Sequence, residues 1–433
     1  MGIFDDLLKD VQLPKFVKVN YNIETTSIED PEKATRAALL SRGVLDRIKP
    51  GDSVCIAAGS REIANLSRIV KVVVDEVKNH GGKPFIIPAM GSHGGATAEG
   101  QAEILAGYGI TEETMGVPIR SCMKTVEVGK TESGLSVQID SYANEADCII
   151  PIGRIKAHTD FRGPVESGLM KMIAIGIGKQ HGASICHSRG FALMSQNIRD
   201  IAKVVIRNKP VAFGVAIIEN AFHQTYKIVA IPGELIEEEE PKLLVEAKSL
   251  IPKIPFEKAD ALIVNEIGKN ISGTGMDPNV TGRSAVMGRW EPNFDAIAVL
   301  DITEQSHNNC NGLGIADVTT ERVFDKFSFE MTYPNAITST EPISVKIPAV
   351  MPNDLLAIKF AIRMCYQAPT DGPRIVWIRN TLNMDTFFIS ESLISAAKDV
   401  KGLEVASVPM EIPFDEHGNF IGWDEAIRYA DTL

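Results

Sequence analysis

Histidine and lysine side chains able to do chemistry are concentrated in one stretch, residues 151–187. Three of the eight histidines in the 433-residue chain lie there: His158, His181 and His187. Lys171 stands inside an apolar run, Met170–Ile177, where an amine costs free energy unless it is paired, neutral or covalently used. Imidazoles exchange protons near neutral pH and bind metal ions. Because this lysine conflicts with simple core packing, we predict a functional site in the stretch.

Two further loops carry polar groups at positions where predicted strands end. Gly59-Ser60-Arg61 follows a buried strand predicted over 53–58, and the glycine-flanked His93 follows one over 84–89. Backbone donors and a guanidinium at a helix start suit an anion. A lone loop histidine is more often a bystander than a catalyst. Since parallel strands present their carboxyl ends at one edge of a sheet, however, the three loops together favour a ligand site.

The alternation of apolar strands and amphipathic helices predicts an α/β fold with mostly parallel sheets. Predicted strands and helices recur up to residue 250, and a second strand–helix series begins near 256, after Pro252 and Pro255. We predict two α/β domains, 1–255 and 256–433, with the active site in the cleft between them. The closing helix, Trp423–Leu433, suits packing on either domain, including back onto the first.

Composition narrows the class of protein. The net charge of −12 argues against binding to nucleic acid or an anionic membrane. The six cysteines form no CxxC pair, so neither a zinc site nor a disulfide framework is indicated. The acidic first residues do not resemble a secretory signal, and no apolar run has membrane-spanning length. We expect a cytoplasmic enzyme or binding protein with reduced thiols, of an oligomeric state that the sequence does not give.

The order of the motifs resembles the nickel-dependent lactate racemase family, whose members use a nickel pincer nucleotide. The motifs are Ser60-Arg61 after a strand, Gly91-Ser92-His93, His158 before a glycine loop, Ser167-Gly168-Leu169-Met170-Lys171, and His187-Ser188. Lys171 and His187 lie 16 residues apart, which is the spacing expected of that family. The resemblance is clear over the first half of the chain and weaker in the second.

The resemblance implies a cofactor and the residues that hold it. Lys171 would carry pyridinium-3,5-bisthiocarboxylic acid mononucleotide covalently, and His187 would be the protein ligand of its square-planar nickel ion. Maturation proteins would supply this group. The other residues assigned to cofactor binding are Ser60, Ser167, Gly168 and Phe161, the last by stacking on the pyridinium ring or by simple packing. His181 is assigned a structural role.

The implied reaction is racemisation or epimerisation of a 2-hydroxy acid. His93 and His158 would serve as acid/base groups on opposite sides of the substrate, and Arg61 would contact its carboxylate. In the family the C2 hydrogen passes to the cofactor as a hydride, a 2-keto acid forms, and the hydride returns to either face. The cofactor carries the difficult step, while the protein orients and deprotonates the substrate.

Three departures from the family pattern bear on the substrate. Ala58 stands where the family has an Asp, the segment from His158 to Lys171 is a few residues longer, and the Gln-x-x-Lys pair that grips the lactate carboxylate has no clear match. The corresponding loop, Gly268–Gly275, is small and polar. We therefore predict a 2-hydroxy acid other than lactate, with Arg283 and, less favoured, Lys269 meeting its carboxylate.

Two other functions fit the same residues. The chain could be a non-enzymatic protein that binds the nickel nucleotide, or an ordinary metal-dependent hydrolase or lyase using His93, His158 and His187. Lys171 discriminates between the covalent cofactor and the ordinary metal, because only a tethered cofactor needs a lysine beside an apolar run.

Overall fold

The computed structural model describes residues 2–23, 25–59, 63–365 and 372–433. The chain divides into two compact units. Glu24–Leu250 forms one, called here the continuous unit, and Met1–Ile23 joins Ile251–Leu433 in the other, called the split unit. The change of unit at 250/251 lies close to the boundary that the two prolines indicated.

The N-terminal segment contributes to the split unit, whereas the sequence division had placed it with residues up to 255. It contains helix α1 (Ile3–Leu8) and strand β1 (Phe16–Tyr21). Strand β1 pairs antiparallel with segments 386–390 and 403–405 of the same unit. Phe16, Val17 and Val19 are fully buried there, so apolar burial as well as backbone pairing holds the segment in place.

The continuous unit is built on a five-stranded sheet with a separate hairpin. Its strands are β2 (Ser53–Ala58), β3 (Lys83–Pro88), β4 (Thr125–Lys130), β5 (Ser136–Asp140), β6 (Cys148–Arg154), β7 (Phe213–Glu219) and β8 (Thr225–Pro232). The sheet order is β3-β2-β6-β7-β8, and β4 pairs with β5. The first four of these strands run parallel and β8 is antiparallel. The predicted α/β class is therefore confirmed.

Helices cover this sheet on both faces. They are α2 (Pro31–Ser41), α3 (Leu66–Asn79), α4 (Ala98–Gly107), α5 (Glu112–Met115), α6 (Ser141–Glu145), α7 (Leu169–Lys171), α8 (Lys179–His187), α9 (Met194–Asn208) and α10 (Ile236–Ser249). Successive residues of β2 alternate between two cores: Val54 and Ile56 pack with α3, while Cys55 and Ala57 pack with the segment around Ile173. A strand buried on both faces reads as a continuous apolar run, as it does in this sequence.

The split unit has an eight-stranded sheet and a two-stranded ribbon. Its remaining strands are β9 (Ala261–Ile267), β10 (Arg283–Ser284), β11 (Gly288–Arg289), β12 (Ala296–Ile302), β13 (Val318–Thr320), β14 (Ala349–Met351), β15 (Ile375–Ile378), β16 (Thr386–Ser390) and β17 (Leu403–Val405). The sheet order is β14-β13-β12-β9-β15-β16-β1-β17. The first five strands of that order are parallel, and the last three extend the sheet in antiparallel fashion.

The helices of the split unit are α11 (Pro278–Thr281), α12 (Glu321–Lys326), α13 (Phe329–Ser339), α14 (Asp354–Arg363), α15 (Ile394–Lys398) and α16 (Trp423–Thr432). Trp423 and Ala426 of the closing helix belong to the same core as Trp377, so α16 packs within its own unit. Among the described helices of the chain, none is long and apolar enough to cross a membrane.

Candidate active site

The loop that follows β6 holds His158 by its backbone. Lys156 and Ser167 exchange two backbone hydrogen bonds, of 2.8 and 3.2 Å, and so close the loop between them. The fully buried Glu166 accepts hydrogen bonds from the backbone N–H of His158 at 2.8 Å and of Gly163 at 3.1 Å. The ammonium of Lys248 on α10 lies 2.6 Å from this carboxylate. A buried, paired carboxylate therefore fixes where His158 enters the site.

The imidazole of His158 contacts Phe161 through its ring face and Asp160 through its Nδ1 atom. Its ring stacks on Phe161, with centroids 4.1 Å apart and planes 28° from parallel. The backbone N–H of Asp160 donates to Nδ1 at 3.0 Å. Because Nδ1 accepts, the neutral ring carries its proton on Nε2. The carboxylate of Asp160 also lies near, with Oδ2 3.8 Å from Nδ1.

Lys171 lies at the end of the short helix α7 and beside the same aromatic ring. Its Nζ is 5.9 Å from the centroid of Phe161. Phe161 is buried, and its ring lies next to both His158 and Lys171. A π-helical turn, Met172–Gly176, follows directly, and interruptions of this kind are frequent at functional sites. The structure therefore brings three of the residues singled out in the sequence into one place.

A buried carboxyl group lies behind α7 and explains the Ser-Gly-x-x-Lys motif. Oε2 of Glu240 accepts the backbone N–H of Met170 at 2.8 Å, while Oε1 has no hydrogen-bond partner. A Cβ atom at Gly168 would lie 2.2 Å from Oε1, so any larger residue there would require the carboxyl group to move. Burial raises the pKa of Glu240 to about 7, although hydrogen bonds from Met170 and Leu169 act in the opposite direction.

Sequence reasoning missed this group. Glu240 ends an acidic run, Glu237–Glu240, whose charges suit a helix N-terminus, but its own side chain is completely buried inside α10. A signal was present, because Ile236, Glu240 and Leu244 repeat every four residues and therefore share one face of the helix.

His187 at the end of α8 presents the opposite tautomer to His158. Its Nδ1 lies 2.7 Å from the carbonyl oxygen of Ala183, to which it donates, leaving the lone pair on Nε2. Desolvation beside packed neighbours, among them the edge-on ring of Phe191, lowers the pKa of His187. The positive charge of Lys171 lowers it further, while the Ala183 hydrogen bond and Asp160 oppose the change. A neutral imidazole with a free Nε2 is the form that binds metals.

The other candidates in the continuous unit lie as follows. His93 begins a turn at the end of β3, and its N–H donates to the carbonyl of Met90 at 3.2 Å. His181 lies 3.1 Å from the hydroxyl of Thr125 on the hairpin, which is consistent with the structural role expected of it. Ser60 and Arg61 fall outside the described residues.

The two residues expected to meet the substrate from the second domain lie in the split unit. Arg283 is buried, with Nη1 2.5 Å from a carboxylate oxygen of Asp317 and 3.1 Å from the carbonyl of Ile315. Its Nη2 donates to the carbonyl of Phe294 at 3.1 Å. These contacts give Arg283 an architectural task and do not favour the substrate role. Lys269 is part of the loop after β9, where its Nζ donates to the carbonyl of Gly273 at 2.7 Å.

The described residues contain no group of three or more His, Cys, Asp and Glu side chains arranged to hold a metal ion. An ordinary site with three protein ligands is therefore not formed by this part of the chain. The arrangement that is formed comprises one neutral imidazole with its Nε2 lone pair, a nearby primary amine and a second histidine stacked on an aromatic ring.

Comparison with known proteins gives a family match and a similar fold. Residues 6–199 match the family model described as the lactate racemase N-terminal domain. The solved structure of the lactate racemase apoprotein from Thermoanaerobacterium thermosaccharolyticum is similar in fold, with a TM-score of 0.52 at 16% identity, over 85% of this chain and 98% of that one. No curated protein matches the chain. The resemblance read from the motifs is thus confirmed over residues 6–199, which match the lactate racemase N-terminal domain.

Proposed function

We propose that this protein is a racemase or epimerase of a 2-hydroxy acid that holds a nickel pincer nucleotide on Lys171. The family match supports the racemase class. The observation that carries the cofactor assignment is the pairing of Lys171 with a neutral His187 whose Nε2 lone pair is available. A covalently tethered metal complex needs one amine and one protein ligand, and this donor set fits that requirement.

When bound, the cofactor supplies a hydride acceptor for the C2 hydrogen of the substrate. The nickel ligand would be Nε2 of His187, and the tether would be Nζ of Lys171. Phe161 has His158 stacked on its ring, so part of its surface is already in use. Gly168 and Ser167 shape the turn that presents the lysine.

His158 and His93 would handle the proton of the substrate hydroxyl. In the present tautomer His158 offers Nε2–H as a hydrogen-bond donor to the C2 oxygen. To accept the hydroxyl proton at Nε2, the ring must carry its other proton on Nδ1, and the carboxylate of Asp160, 3.8 Å away, would then be the acceptor for it. Asp160 therefore supports both states of the ring, with its N–H in one and its carboxylate in the other.

We further propose that lactate is a poor substrate. The loop after β9 offers small polar groups and glycines where the family has the pair that grips lactate. This loop is internally hydrogen-bonded: the N–H of Gly268 donates to Gly275 and the N–H of Ser272 to Gly268. This loop suits a 2-hydroxy acid that is larger or more polar than lactate. Arg61 remains the proposed carboxylate contact from the first domain.

The test is co-expression with the proteins that make the cofactor, followed by denaturing mass spectrometry of the peptide that contains Lys171. A stable adduct on that lysine is expected, and bare lysine under conditions that load a control lactate racemase contradicts the tether. Loaded protein is then screened with single-enantiomer 2-hydroxy acids for loss of optical purity. An adduct with no turnover of any acid tested would favour the non-enzymatic nickel-nucleotide carrier. Faster turnover of lactate than of every sugar acid, aryl or dicarboxylic 2-hydroxy acid would contradict the substrate proposal.

A further inference from the structure

Lys179, at the start of α8, combines two unfavourable features in one residue. Its side chain is completely buried, and its backbone has a φ of +56°, in the left-handed region that residues with a Cβ rarely adopt. A buried charge requires partners with good geometry, and a strained backbone persists only where the surroundings hold it firmly. Both costs at one position indicate that the ammonium has a specific task.

The ammonium of Lys179 connects three separate segments. It donates to the carbonyl of Pro88, the last residue of β3, at 2.6 Å, and to Oε1 of Gln101 on α4 at 3.1 Å. The carboxylate of Asp140, at the end of β5, lies 3.2 Å away. The three contacts match the three donors of an ammonium group, so the buried charge is fully satisfied.

Gln101 passes this anchoring on to the loop that carries His93. The side chain is fully buried, and its Nε2 donates to the carbonyl oxygens of Gly91 at 2.8 Å and His93 at 3.3 Å. Only one orientation of the amide satisfies all its neighbours, because its oxygen faces an ammonium and its nitrogen faces two carbonyls. Lys179 therefore fixes the orientation in which Gln101 can hold the loop.

The loop itself needs such an anchor. Gly91, Gly94 and Gly95 all have positive φ values of 61° to 65°. Because glycine has no Cβ atom, three glycines give this segment far more conformational freedom in the unfolded chain than an ordinary turn has. The backbone hydrogen bonds of the loop are long: the N–H of Gly91 donates to Gly176 at 3.3 Å, and those of His93, Ala96 and Thr97 donate to Met90, His93 and Gly94 at 3.2 Å each.

We propose that Lys179 and Gln101 are positioning residues that fix the His93 loop for proton transfer. The claim that they hold the loop stands on the geometry alone, whereas its catalytic consequence rests on the proposed function. Neither residue touches the reacting atoms. They act by keeping the backbone of His93 in one place at the carboxyl end of β3.

The experiment compares Gln101→Met with Gln138→Met in the full-length, unloaded protein. Gln138 is the matched control, because it is a buried glutamine of the same unit whose Nε2 donates to Ser136 at 2.7 Å, on the hairpin. Hydrogen exchange of the peptide covering 89–97 should become about tenfold faster or more in Gln101→Met, since two hydrogen bonds to the loop are lost. In the control it should stay within about twofold of the parent, and exchange in β7 should remain slow in both variants.

Unchanged exchange at 89–97 in Gln101→Met would overturn the proposal, as would faster exchange spread equally over β7. Lys179→Met provides the second variant. It should speed exchange of the same peptide, even if the unit as a whole is also destabilised. Selective protection of 89–97 in that variant would contradict the role assigned to the ammonium. In loaded protein, Gln101→Met should keep the Lys171 adduct but lower kcat more than it raises KM. Because exchange is measured without cofactor, failure of this proposal and failure of the racemase assignment give different results.

Discussion

Replacing Glu240 by glutamine should remove a pH dependence from the stability of the continuous unit. The carboxyl group is completely buried against the backbone of α7, and one of its oxygens has no hydrogen-bond partner. Burial raises its pKa from 4.5 to about 7, so the folded protein binds this proton more tightly than the unfolded chain does. Glutamine resembles the protonated acid in shape and cannot ionise.

The sign and size follow from linkage. For an acid whose pKa is raised on folding, the stabilising contribution is complete below pH 4.5 and is lost as the pH rises through 7. At about 1.4 kcal/mol for each pH unit, the loss for a fully buried group approaches ~3 kcal/mol at pH 8. Wild type should therefore lose stability between pH 5 and 8, and Glu240→Gln should be similar to wild type at pH 5 but more stable at pH 8.

The assay must report on the correct unit. All three tryptophans, Trp290, Trp377 and Trp423, lie in the split unit, so their fluorescence does not follow unfolding around Glu240. Hydrogen exchange of peptides from β7 and from 169–177 does, and comparing the two proteins at each pH cancels the intrinsic pH dependence of exchange. Equal protection of wild type and Glu240→Gln at pH 8 would refute the reasoning, because it would mean that the carboxylate ionises in the folded state without cost.

Four further outcomes are expected. Lys171→Ala and Lys171→Arg should leave no cofactor adduct by mass spectrometry after co-expression while keeping the circular dichroism of the parent, since neither side chain can form the thioamide; an adduct elsewhere on either variant would move the tether. His187→Ala should retain the organic adduct but lose nickel by metal analysis, and a nickel content equal to the parent would place the ligand elsewhere. In ¹⁵N spectra of histidine-labelled protein, neutral His158 should carry its proton on Nε2, and a proton on Nδ1 would contradict the observed hydrogen bond. Arg283→Ala should destabilise the split unit by about 3 kcal/mol in denaturation followed by tryptophan fluorescence, because Asp317 loses its partner; unchanged stability would reopen its substrate role.

Strand positions were largely readable from the sequence, whereas partners distant in the chain were not. The strand predicted over 53–58 has the same bounds in the structure, because a parallel strand buried on both faces is a short continuous apolar run. Side chains also alternate over β1, Phe16–Tyr21, but the pairing of this strand with β16 is not evident from the sequence. Alternation of side chains reveals a strand without revealing which of many other strands its backbone will meet.

The same distinction applies to the candidate site. The order of motifs located Lys171, His158 and His187. The structure places the first two beside the ring of Phe161, while His187 lies near Lys171 with its own ring against Phe191. The groups that orient them were missed because each joins segments far apart in the chain: Glu240 lies 70 residues beyond the Met170 amide that it binds. The buried Lys179 was likewise overlooked, because a charged residue after a glycine is usually solvated in a loop.

The pairing of β1 has a consequence for synthesis of the chain. Residues 16–21 leave the ribosome long before their partners at 386–390 and 403–405. The continuous unit is complete by residue 250 and can fold in the interval, while Phe16, Val17 and Val19 have no sheet to join. The apolar strand must therefore wait, exposed or shielded by a chaperone, while residues 22–385 are made. Substitutions that increase its tendency to aggregate would reduce the yield of folded protein without changing the stability of the finished fold.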